Sequence, residues 1–99
     1  MQLVVIGDGA GASGVVESVT DFSSVVDPFG TDPYFLTAES TFTLGTADFT
    51  VELGFENSDN VTFLLVSDFT GALTDDLDTN DDGTIDSRPW GSVIDSVTL

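Results

Sequence analysis

The stretch Val61-Thr62-Phe63-Leu64-Leu65-Val66 is among the longest apolar runs of the chain, and it decides how the rest is interpreted. Its β-branched and aromatic residues favour a pleated strand over a helix. Apolar side chains occupy both odd and even positions, and successive side chains of a strand point to opposite faces. We therefore predict that this strand lies in the interior of a sheet.

Similar short runs precede and follow this strand, separated by Gly, Pro, Asn and Asp residues that are typical of turns. The predicted strands are residues 3–6, 15–20, 34–39, 47–55, 61–66 and 93–99. Between Phe49 and Phe55 apolar and polar residues alternate, as in a strand with one buried face. No window shows helical periodicity. The pattern predicts an all-β fold, an antiparallel β-sandwich of six to seven short strands.

Length and charge narrow the possible functions. The 99 residues form one domain in this interpretation, spanning 1–99. The chain has eighteen acidic residues and one cationic residue, Arg88. The resulting net charge of −17 disfavours nucleic acid or an anionic membrane as a partner. The apolar runs are too short for membrane insertion. No signal peptide precedes Leu3, so we expect a secreted form to be a mature or excised piece.

The most acidic segment, residues 75–86 (DDLDTNDDGTID), has the spacing of a calcium loop. Asp78, Asn80 and Asp82 stand at alternate positions, and Gly83 follows where such a loop turns sharply. Thr84 would contribute its backbone carbonyl. The predicted metal ligands are Asp76, Asp78, Asn80, Asp82, Thr84 and Asp86.

The twelfth position of this loop, counted from Asp78, is Pro89, which cannot supply the bidentate carboxylate of a helix-loop-helix calcium site. Asp76 and Asp95 are the candidates to replace that ligand. The alternative is a solvated acidic turn that binds no ion.

The glycine cluster after the first strand has the spacing of a dinucleotide-binding fingerprint, from Gly9 to Gly14. That fingerprint requires a helix next, whereas residues 15–20 (VVESVT) favour a strand. The uncompensated negative charge would also repel phosphate. We therefore predict a glycine-rich hairpin connection.

Candidates for catalysis are few. The chain has no histidine, cysteine or lysine to act as a base or nucleophile, and its carboxylates cluster in a hydrophilic loop rather than a sheltered pocket. We predict that the protein is not an enzyme. Trp90 is expected to pack under the calcium loop, and the alternative is that it stacks on a sugar ring.

Several segments together resemble the lamin-tail-domain family in its bacterial extracellular form. The segments are residues 3–9, 34–40, 55–61, 76–86, 89–90 and 93–97. They cover most of the chain, although the motifs are structural and loose. The resemblance implies an immunoglobulin-like β-sandwich that serves as a binding or architectural module, often beside an enzyme domain.

Domains of that family usually begin with one more strand, ahead of the strand that starts here at Gln2. The resemblance therefore implies an open sheet edge from Gln2 to Ile6, where another protein chain could add a strand. An excised fragment or a misplaced start is the alternative explanation.

Taken together, the sequence predicts a non-catalytic, calcium-stabilised structural or adhesive module of an extracellular or cell-surface protein. Extracellular modules bind calcium with dissociation constants of about 10⁻⁴–10⁻³ M, which suits that location. Two alternatives stay open. One is a self-assembling filament or surface-layer subunit joined by strand complementation, and the other is a carbohydrate-binding accessory module of a secreted hydrolase.

Overall fold

The computed structural model describes residues 1–25, 33–55 and 60–99. The strands are β1 (Gln2–Gly7), β2 (Val15–Asp21), β3 (Thr37–Ala38), β4 (Phe49–Thr50), β5 (Thr62–Ser67) and β6 (Ser92–Thr98). One 3-10 helix, Gly9–Gly11, lies between β1 and β2. The predicted all-β fold is confirmed, and no helix in the described ranges is long and apolar enough to cross a membrane.

Four strands form an antiparallel sheet in the order β2-β1-β5-β6. The central position predicted for the strand at 61–66 is confirmed, since β5 pairs with β1 on one side and β6 on the other. Strand β2 begins at Val15, directly after Gly14, where a dinucleotide-binding fingerprint requires a helix. Since β2 pairs antiparallel with β1, the predicted hairpin connection is confirmed.

The chain divides into two compact units, one made of Met1–Phe22 with Gly54–Leu99 and the other of Ser23–Leu53. The first contains the four-stranded sheet. The second contains β3 and β4, which pair in parallel through Thr37 with Phe49 and Ala38 with Thr50. This short parallel pair differs from the antiparallel arrangement predicted for every strand.

In the second unit, the predicted strand at 34–39 is only two residues long, and Tyr34 at its expected start is 79% exposed. The apolar alternation is real even so. Phe49, Val51 and Leu53 are half-buried while the polar residues between them are exposed. Alternation therefore reports which side chains are buried, but it does not guarantee a continuous ladder of backbone hydrogen bonds.

The hydrophobic core lies on one face of the four-stranded sheet. Its buried members are Val4, Ile6, Val16, Leu64, Val66 and Leu77, and Phe69, Ile85 and Trp90 pack against them. Five of the six buried members come from β1, β2 and β5, whereas Leu77 belongs to the acidic segment. The loop that was predicted to bind calcium is therefore anchored on the apolar face of the sheet.

The open edge predicted from Gln2 to Ile6 is in the wrong place. Gln2 pairs with Asp21 of β2 and with Val66 of β5, and every residue from Gln2 to Ile6 is paired on both sides. The sheet instead has its edges at β2 and β6. The resemblance implied an edge because β1 comes first in the sequence. The place of a strand in the sheet depends instead on long-range pairing, and β1 lies between β2 and β5.

Candidate metal centre

The acidic segment is held by apolar contacts at both ends. Leu77 is 2% exposed and joins the core, and Ile85 and Trp90 pack against the same cluster. The expected packing role of Trp90 is confirmed. These contacts fix the ends of a loop in which residues 79–84 are exposed, so the loop has a defined position despite its charge.

Asp78 is the buried centre of this loop, with only 1% of its surface exposed. One carboxylate oxygen, Oδ2, accepts hydrogen bonds from the hydroxyl of Ser13 and, at 2.8 Å, from the N–H of Gly83. The other, Oδ1, accepts the N–H of Asp82 at 3.2 Å. A buried carboxylate needs such donors because burial without them is costly.

These hydrogen bonds lower the pKa of Asp78. The Ser13 hydroxyl makes the largest contribution, and the backbone N–H groups of Gly83 and Asp82 add to it, while burial of the carboxyl group acts in the opposite direction. The donors prevail, so Asp78 carries its negative charge at neutral pH, as a calcium ligand must.

The backbone turns at the position where a calcium loop requires it. Gly83 has φ of +82° and Asp81 has φ of +54°, both in the left-handed region. Glycine adopts that conformation without steric cost, and aspartate tolerates it better than most residues. The turn directs the N–H of Gly83 back towards Asp78.

Asn80 and Asp82 lie beside Asp78. The N–H of Asp82 donates to two side-chain oxygens, Asn80 Oδ1 at 3.1 Å and Asp78 Oδ1 at 3.2 Å. The amide of Asn80 donates to Asp82 Oδ2 at 3.2 Å. Thr84 donates its N–H to Asp82 Oδ1 at 2.8 Å. The structure thus brings together three of the side chains predicted as ligands.

The remaining two predicted carboxylates turn towards the loop backbone. Asp86 Oδ2 accepts the N–H and the hydroxyl of Thr79 at 3.1 and 2.9 Å, and Asp76 Oδ1 accepts the N–H of Asp78 at 3.1 Å. Among residues 1–25, 33–55 and 60–99, no three acidic side chains form a ready metal-binding group. Each carboxylate has a second oxygen, so these hydrogen bonds do not by themselves prevent Asp76 or Asp86 from binding an ion.

Asp95 does not fit the role of replacement ligand. It pairs with Leu65 of β5, and its neighbour Ser96 pairs with the core residue Leu64. Because side chains alternate along a strand, Asp95 projects from the face opposite to the one that carries Leu77 and the loop. The interpretation of Asp95 as a ligand is therefore wrong, and the sheet register is the reason.

A second segment, the connection between β1 and β2, completes the site. The N–H of Ser13 donates to Asp81 Oδ1 at 2.9 Å, and the carbonyl of Gly14 accepts the N–H of Leu77 at 3.0 Å. Gly14 has φ of +77°, and a Cβ atom there would lie 2.6 Å from Asp78 Cβ. The sequence indicated a flexible glycine turn, but nothing in it linked Ser13 and Gly14 to the acidic loop.

A groove of about 710 Å³ runs beside this site. Asp78, Gly83 and Thr84 line one part of it, and Arg88 and Trp90 line another. The indole of Trp90 is half-buried, so part of the ring faces the groove and part packs on the core. The groove places an aromatic surface beside two of the predicted ligands, Asp78 and Thr84.

No protein-family model, curated protein or solved structure matched this chain.

Proposed function

We propose that this chain is a non-catalytic structural or adhesive module of an extracellular or cell-surface protein, stabilised by a calcium ion at the loop 75–86. The observation that carries the proposal is the arrangement around Asp78, where a buried and ionised carboxylate lies beside the oxygens of Asn80 and Asp82. All predicted ligand atoms are oxygens, which hard cations such as calcium prefer.

Calcium would supply the charge compensation that the chain lacks. Six carboxylates occur within residues 75–86, while the chain has one lysine or arginine in total. A divalent ion bound to Asp78, Asn80, Asp82, the Thr84 carbonyl and, after rotation, Asp86 would offset that repulsion. Because Ser13 and Leu77 fix the loop to the sheet, binding energy at the loop would stabilise the whole first unit.

We further propose the lamin-tail type of β-sandwich as the complete architecture. Two observations support it. Val4 and Val66 on one face of the four-stranded sheet are 0% exposed, and Val5 and Thr20 on the other face are 0% and 4% exposed. A sheet with buried residues on both faces is typical of a layered domain.

Terbium luminescence tests the metal proposal directly. Trp90 lines the same groove as two predicted ligands, Asp78 and Thr84, so excited indole should transfer energy to a terbium ion in the loop, and calcium should displace that ion. We expect sensitised emission that calcium suppresses, and a melting temperature that falls when calcium is chelated. Absent emission together with an unchanged melt in chelator would contradict the proposal.

A matched pair of variants locates the ion. Asp82→Asn removes one charge inside the loop, whereas Asp95→Asn removes one charge on the opposite face of the sheet. We expect Asp82→Asn to weaken calcium binding at least about tenfold, as for loss of a charged ligand, and Asp95→Asn to leave it nearly unchanged. Equal effects would mean that calcium only screens the net charge.

The groove favours one second candidate function, a carbohydrate-binding accessory module. Trp90 offers an aromatic surface there, and Asn60, Thr62 and Arg88 offer hydrogen-bonding groups along the same groove. Titration with a panel of soluble glycans tests this function through the fluorescence of the single tryptophan. Saturable quenching by one glycan class would support it, and an unchanged spectrum across the panel would remove it.

A further inference from the structure

Strand β6 is an uncovered edge of the four-stranded sheet. All seven of its residues are exposed, and in the part of the chain that the structure describes no segment pairs with its outer side. Val93, Ile94 and Val97 are 47%, 55% and 51% exposed. Unpaired backbone groups next to exposed apolar side chains form a template on which another strand can add.

The opposite edge of the sheet is different, because part of β2 is covered. Val16 donates its N–H to the carbonyl of Asp75 at 2.9 Å, and its own carbonyl accepts the N–H of Thr74 at 2.8 Å. A bridge between Val15 and Asp76 extends this pairing. Of the two edges, β6 is therefore the one that is open along its length in the described chain.

The hydrogen-bond pattern shows which backbone groups of β6 face outward. Leu99 donates to the carbonyl of Val61 at 3.0 Å, and donors alternate in direction along an antiparallel strand, so Ser96 and Thr98 direct their N–H groups away from β5. The outward N–H of Ser96 is occupied by its neighbour, since it donates to Asp95 Oδ1 at 2.8 Å. Asp95 thus caps the open edge at its centre.

We propose that the outer edge of β6 binds an extended segment of a different protein as an added strand. Asp95, Val97 and Leu99 share one face, so the segment carries Lys or Arg beside Asp95 and apolar side chains beside Val97 and Leu99. The cation attracts the Asp95 carboxylate away from Ser96, and the freed N–H then donates to a carbonyl of the incoming strand.

Charge excludes a second copy of this chain as the preferred occupant. Each copy carries a net charge of −17. Asp95 is the middle residue of Ser92–Thr98, so two copies paired antiparallel about the strand centre would place Asp95 opposite its own equivalent. Like charges directly opposite each other destabilise a strand pair. A cationic partner avoids both problems, and this inference goes beyond the proposed function because it does not require calcium.

Three synthetic peptides test the proposal on the full chain. Each is a blocked seven-residue peptide that alternates Thr and Val, with Lys, Thr or Glu at its centre. We expect the Lys peptide to cause saturable shifts of the β6 amide resonances and slower hydrogen exchange at Ser96 and Thr98. It should bind about fivefold more tightly than the Glu peptide, as expected for opposite against like charges across a strand pair.

Two variants and one control separate edge pairing from general attraction. Asp95→Asn keeps an oxygen acceptor but removes the charge, so it should abolish the preference for the Lys peptide. Val97→Lys should prevent binding of the Lys peptide, whereas Leu44→Lys, at a site 91% exposed outside the sheet, should not. Equal affinity of the three peptides, no saturable shift in β6, or concentration-dependent dimerisation through β6 would each overturn the proposal.

Discussion

The hydroxyl of Ser13 donates a hydrogen bond to the carboxylate of Asp78, 65 residues further along the chain. This bond joins the connection between β1 and β2 to the centre of the acidic loop. It is reinforced by the bond from Leu77 N–H to the carbonyl of Gly14. The loop is therefore part of the folded first unit, and its stability should depend on residues distant from it in the sequence.

Replacement of Ser13 by Ala should make the free energy of unfolding less sensitive to a fall in pH. The Ser13 hydroxyl lowers the pKa of Asp78, so its contribution is complete above the unfolded pKa of about 4 and is lost as pH falls through the folded pKa. We expect Ser13→Ala to be less stable than the parent protein at pH 7, and the difference to shrink at pH 3. Urea unfolding of both proteins at each pH, in the presence of a chelator, measures this difference in stability.

The comparison of two proteins is necessary because protonation of other carboxylates changes the stability of both. Their difference isolates the Ser13 and Asp78 pair. A stability difference that stays constant or grows between pH 7 and pH 3 would show that the hydroxyl does not act through the charge of Asp78.

Replacement of Gly14 by Ala should be more damaging than replacement of Gly11. Both glycines have positive φ, +77° and +78°, so either alanine incurs about 1–2 kcal/mol of backbone strain. A Cβ at Gly14 would also lie 2.9 Å from Asp78 N, whereas a Cβ at Gly11 meets no atom within 4 Å in the described structure. We expect Gly14→Ala to cost about 1–3 kcal/mol more in chemical denaturation. Equal costs would contradict the close approach.

Truncation of Leu77 should show that the acidic loop is anchored in the core. Leu77 is 2% exposed, and Leu77→Ala should reduce the free energy of unfolding by about 2–5 kcal/mol. Leu44 is 91% exposed, and Leu44→Ala should change it by less than about 0.5 kcal/mol. Denaturant titration compares the two. A small effect of Leu77→Ala would mean that the loop detaches without loss of the core.

Replacement of Thr20 by Val should stabilise the protein. Thr20 is 4% exposed, and its hydroxyl oxygen has no hydrogen-bond partner among the described residues. Removal of a buried, unsatisfied polar group should raise the free energy of unfolding by about 1 kcal/mol. Thr62→Val is the control, because the Thr62 hydroxyl lies 3.0 Å from that of Thr98 and its loss should be neutral or unfavourable. Thermal unfolding distinguishes these outcomes, and a destabilised Thr20→Val would show that its hydroxyl is satisfied.

Local sequence pattern was sufficient for the strands of the first unit. The runs around Val4, Val16, Leu64 and Val97 were predicted as strands and are strands, because β-branched and apolar side chains decide burial over four to seven residues. The interior position of β5 also followed from its two apolar faces. The candidate site was predicted in the same way, since the spacing of Asp78, Asn80 and Asp82 with Gly83 is a local property.

Tertiary structure decided the rest. The sequence by itself determined which segments of the first unit are strands and which loop concentrates acidic side chains, because both depend on neighbouring residues. Only the folded sheet decided that β1 is internal, that β6 is the open edge, that Asp95 lies away from the loop and that Ser13 donates to Asp78. Strand order, register and contacts between distant residues arise from long-range pairing, and no short stretch of this sequence specifies them.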